Sequence, residues 1–150
     1  MKETPQELKI HNNMKKGMIS VTGFLGDDER HYHEIIADDK KNLEKIGLSA
    51  DKIADRLEYF SRKAFPVYDG TTIIDEIYQV EYRSYRGRIM CPFGHGGGYR
   101  KGEITLVNLQ NNARLCWTPL NEHMIRTHCF FEGVGSNHRL DPEIIKKALF

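Results

Sequence analysis

Three consecutive glycines stand inside the run Cys91-Pro92-Phe93-Gly94-His95-Gly96-Gly97-Gly98-Tyr99-Arg100-Lys101-Gly102, and six of the chain's 13 glycines fall between Gly87 and Gly102. Glycine loses more backbone freedom on folding than any other residue and weakens the interior of a helix or strand. The run is therefore a connection rather than an element, and the fold must be built from what flanks it.

The flanks read as strands. Tyr78, Val80 and Tyr82 alternate with Gln79, Glu81 and Arg83, the period-two pattern of a half-buried strand. Ser84-Tyr85-Arg86-Gly87 reads as a turn, and Arg88 to Phe93 as the returning strand. Beyond the glycines, Glu103 to Leu109 forms a third strand. Gln110-Asn111-Asn112 turns it into a fourth, Ala113 to Thr118. Together these predict a four-stranded antiparallel meander over about residues 77–118.

Helices are predicted on either side. Ile35, Ile36, Leu43 and Ile46 mark one over His31 to Ile46, which Gly47 closes. Ser49 caps a second helix reaching Ala64, with Ile53, Leu57, Phe60 and Ala64 at helical spacing. Thr118-Pro119 opens a third, with Leu120, Met124, His128 and Phe131 on one side and Gly133 and Gly135 as stops. Asp141-Pro142 starts a last short helix ending in Lys146 and Lys147. Met18 to Thr22 reads as a short strand and residues 1–17 as a loose lead-in. The expected fold is a single α+β domain over residues 1–150, with the meander packed against an N-terminal helical hairpin and two C-terminal helices.

Charge narrows the partners. With 22 basic and 21 acidic residues the net charge is +1, which disfavours chain-wide attraction to nucleic acid or a membrane surface. No apolar run approaches the length of a membrane span, and the N-terminus lacks the apolar core of a secretory signal. Cys91, Cys116 and Cys129 are odd in number and not spaced as a disulfide framework, so they read as reduced thiols of a cytoplasmic protein. An anionic small molecule is the expected partner, nucleic acid is not favoured, and homo-oligomerisation stays open.

The glycine run suggests how such an anion is held. Backbone N–H groups of Gly96, Gly97 and Gly98 can turn toward one point, with Tyr99 beside them and Arg100 and Lys101 supplying charge. His95 would supply a proton or a hydrogen bond. The pattern is not a P-loop, because Lys101 precedes a glycine and a strand rather than Ser or Thr and a helix. A bare connector is the competing reading, although three adjacent glycines are a costly way to build one.

Two alternatives use the same residues differently. His95 and His123 could act as an acid–base pair on a phosphodiester, making the chain a metal-independent hydrolase or nuclease. Alternatively Cys91, His95, His128 and Cys129 offer thiolate and imidazole ligands suited to zinc. This second alternative ranks lower because no Cys-x-x-Cys pair is present. His123 and His128 are also five apart, a step that separates them around a helix.

A third alternative is a non-enzymatic dimerisation or interaction module. Leu43 to Leu57, with Gly47 in the turn, Leu48 after it and Ile53 six beyond the glycine, resembles a DNA-binding helix-turn-helix. The resemblance covers about twenty residues. It implies recognition by the second helix, yet Asp51, Asp55 and Glu58 lie on that helix and would repel phosphates.

Overall fold

The computed structural model describes residues 3–20, 22–94, 96 and 98–150. His95 and Gly97 lie outside the described residues, and so do the parts of the anion-cradle, acid–base and metal readings that rest on them. Five α-helices and a four-stranded antiparallel sheet make up the α+β fold. The helices are α1 (Pro5–Asn13), α2 (Tyr32–Ile46), α3 (Ala50–Ala64), α4 (Pro119–His128) and α5 (Pro142–Leu149). The strands are β1 (Thr71–Ile74), β2 (Tyr78–Ile89), β3 (Tyr99–Asn108) and β4 (Arg114–Trp117), in sheet order β1-β2-β3-β4. No helix among the described residues is long and apolar enough to cross a membrane.

The strand count agrees with expectation, but the strands are cut differently. Ser84 to Gly87 does not reverse the chain. The β2–β3 register shifts between Ser84 and Arg88, an irregularity absorbed within one long strand, with Gly87 at φ 90°. The reversal comes earlier, at Asp75 and Glu76. Both have positive φ and join a new strand, β1, to β2. Two long strands therefore run out past the body of the sheet as a ribbon, and residues 90–98 connect their far ends.

Two other differences lie at the N-terminus. Part of the expected lead-in forms α1, capped by the Thr4 hydroxyl accepting from Glu7 N–H and opened by Pro5. Helix α1 buries none of its side chains. It is held by hydrogen bonds between Glu3 and His31 and between Glu7 and His33, and by Asn13 donating to the Pro92 carbonyl at 3.2 Å. Around Met18 to Thr22 the described residues are bends, not a strand.

The main core lies between the sheet and α3. Ile53, Leu57, Phe60 and Ala64 pack against Val80, Tyr82, Ile104, Leu106 and Trp117, with α5 closing one side. Arg126 of α4 binds Asp55 at 2.6 Å and Glu58 at 3.1 Å. The would-be recognition helix thus spends its acidic residues on an internal partner. A second core gathers Met14, Phe24, Tyr32, Ile35, Cys91, Leu120, Met124 and Phe130.

One polar group in the main core is fully committed. The Trp117 indole N–H donates to Glu122 at 2.9 Å and to Ser61 at 3.1 Å, and the Ser61 hydroxyl also donates to Glu122. Burial pushes Glu122 up to about 7, opposed by these two donors. Trp117→Phe keeps most of the ring but leaves Glu122 short of a donor. Urea unfolding should show a loss of about 1–3 kcal/mol, and an unchanged midpoint would contradict this role for the network.

Candidate functional site

The connection between β2 and β3 folds back onto the C-terminal end of α4. Its first turn starts at Cys91, whose carbonyl accepts from Gly94 N–H at 3.1 Å, with Gly94 at φ 92°. The turn points Cys91 inward, to 2% exposure, and places Phe93 flat against His128, ring centroids 3.8 Å apart and planes within 6°. On the far side of the glycines, Tyr99 stacks on His123 at 4.8 Å. The two residues flanking the glycines thus brace the two histidines of α4.

Between these braces three ligand-bearing groups converge. Cys91 Sγ lies 3.8 Å from His128 Nε2, and one ligand atom from each of Cys91, His123 and His128 falls within 4.8 Å of the others. On spacing alone, His123 and His128 are expected apart around the helix. Their rings nevertheless stand 5.4 Å apart, at 82°, and Cys91 joins them from a different segment. Cys129 adopts the left-handed position after α4 (φ 53°) and is in neither of the ligand-bearing clusters formed by described residues. Burial pushes the Cys91 and Cys129 thiols up, which argues against either as a free nucleophile.

Arg100 and Lys101, expected to act on one anion, part company in the structure. Neighbours on a strand point to opposite faces. Arg100 lies over the Phe65 ring, 4.4 Å from its centroid, whereas Lys101 lines a cleft on the other side of β3. Directly opposite Arg100 in the ladder is Arg88, whose Nη1 donates to the Gly98 carbonyl at 2.8 Å. Sequence reasoning placed Arg88 at the start of a returning strand, not opposite Arg100. The register that pairs them depends on the irregularity after Ser84, which no local pattern announces.

The cleft beside Lys101 encloses about 190 Å³ between β3, the segment around Phe24 and the segment after α4. Its polar wall carries Glu103, Glu132 and His138. His138 Nε2 donates to Glu103 at 2.7 Å, and Cys116 is close by. Glu132 is buried at positive φ, 67°, its carboxylate accepting from Asn121 at 2.6 Å and Ser136 at 3.0 Å. Arg139 closes the wall with a bidentate pair to buried Asp39, at 2.6 and 2.8 Å, and donates to the Glu132 carbonyl. Gly133 permits this arrangement, since a Cβ there would sit 2.2 Å from the Leu25 carbonyl oxygen.

Burial lowers His138, but its bonds to Cys116 and Glu103 and the nearby Glu132 charge outweigh that and raise it to about 9. Desolvation raises Glu132 to about 7. Both folded values exceed the ordinary 6.5 and 4.5, so each group stabilises the fold on the acid side of its transition. The Glu132 contribution is lost as pH climbs from 4.5 toward 7, and the His138 contribution from 6.5 toward 9. The thermal midpoint should therefore fall across the alkaline range, and His138→Gln should flatten that limb. A midpoint that rises from pH 7 to 9 would contradict the assignment.

No family model matches the chain, and no curated protein or solved structure shows significant similarity to it.

Proposed function

We propose that this protein binds a phosphate-bearing ligand on the ribbon formed by the outer parts of β2 and β3, with Arg88 and Arg100 as the paired contacts. The observation that carries this reading is their register. Two arginines stand directly opposite one another on one face, a like-charge pairing that costs energy and that an anion between them would relieve. Neither forms an ion pair among the described residues, and both are exposed.

The surroundings favour the same ligand. Arg83, Arg86, Arg88, Arg100 and Lys101 fall between Tyr82 and Gly102, a stretch without a single carboxylate in a chain whose net charge is only +1. The basic character is thus local. Guanidinium groups suit phosphate because their planar forks donate two parallel hydrogen bonds. In this reading the anion is held by side chains of the ribbon, and the glycines set the reach of the connection.

The double variant Arg88→Ala/Arg100→Ala tests it, with tripolyphosphate and a fluorescent oligothymidylate as probes. Anisotropy at about 50 mM salt should detect binding by the native chain, with the salt slope for the oligonucleotide lowered by about 1.4 in the variant. Binding equal in the two proteins, or no binding of either probe, would overturn the reading.

A further inference from the structure

We propose that Cys91, His123 and His128 form a zinc-binding site that fastens the connection between β2 and β3 to the C-terminal end of α4. Zinc takes thiolate at about 2.3 Å and imidazole at about 2.0–2.1 Å in tetrahedral array, which sets sulfur and nitrogen about 3.6 Å apart. The 3.8 Å between Cys91 Sγ and His128 Nε2 fits that geometry with little movement. His123 completes three ligand atoms within 4.8 Å.

The surroundings are those of a held ligand set. The Thr127 hydroxyl faces His123 Nδ1 at 3.4 Å. A hydrogen-bond partner on the far ring nitrogen fixes the orientation of a metal-binding imidazole. Phe93 packs flat on His128 and Tyr99 on His123, so neither ring turns freely. His128 is also the last residue of α4, where the helix dipole favours a cation.

The sequence spacings agree. Four residues separate His123 and His128, within the three-to-five range of zinc-binding histidine pairs, and His95 follows Cys91 after three. The assignment rests on the three described ligands. Glu103, Cys116 and His138 also lie within 4.8 Å of one another. There the 2.7 Å ion pair between His138 and Glu103 accounts for the convergence, so Cys116 serves as the control thiol.

Reconstitution with cobalt in place of zinc reads the site without reference to any activity. The native chain should take up one tightly held ion, with a thiolate-to-cobalt charge-transfer band and the intense visible bands of tetrahedral cobalt. Cys116→Ser should keep both, and Cys91→Ser should lose the charge-transfer band. His123→Ala and His128→Ala should each weaken binding at least tenfold. Because a histidine variant can fail by unfolding, the native chain is also melted with zinc and with a chelator, and zinc should raise the midpoint. Absence of tight binding by the native chain, an unchanged midpoint, or loss of the thiolate band in Cys116→Ser alone would each overturn the proposal.

Discussion

The seating of Cys91, Phe93 and Tyr99, which bracket the glycine run, on the end of α4 is the constraint on which the site geometry depends. A stretch this rich in glycine has much conformational entropy to lose, and few side chains with which to offset the loss. What holds it is concentrated at its two edges: Cys91 and Phe93 on one side, Tyr99 on the other, each against a histidine of α4. Asn13 adds a hydrogen bond to Pro92 from α1. Without these braces the outer halves of β2 and β3 would be joined only by a floppy tether. The opposed arginines would then have no reason to keep their register. The proposed metal supplies an anchor at the point where the aromatic braces meet.

The ribbon separates two chemistries by simple strand alternation. One face of β3 presents Arg100 beside Phe65 and opposite Arg88, and the other presents Lys101 and Glu103 toward the cleft. In the cleft, positive His138 is already matched by Glu103, and Glu132 is satisfied by Asn121 and Ser136. The outer face keeps cations without carboxylate partners. That asymmetry, rather than total charge, is what the proposed ligand surface rests on.

The fold class was legible because the amphipathic signals were strong. Ile53, Leu57, Phe60 and Ala64 mark the buried side of α3, and Tyr78, Val80 and Tyr82 mark that of β2; both stretches kept those faces in three dimensions. The strand breaks were not legible. Ser84 to Gly87 has the composition of a turn, but pairing with residues beyond the glycines holds it extended, apart from the register shift. The partner lies too far along the chain for local patterning to reveal. The Cys91, His123 and His128 cluster was half legible. The residue types pointed to zinc, and the four-residue gap in the histidine pair was a usable signal. Helical-wheel reasoning discounted that pair, and it could not show that a third ligand arrives from another segment.

X-ray absorption at the zinc edge, on protein loaded with one equivalent of the metal, tests the central claim most directly. The account predicts one sulfur at about 2.3 Å and nitrogen neighbours at about 2.0–2.1 Å. The nitrogen neighbours should carry the outer-shell scattering of imidazole rings. A first shell of light atoms alone, with no sulfur, would contradict it.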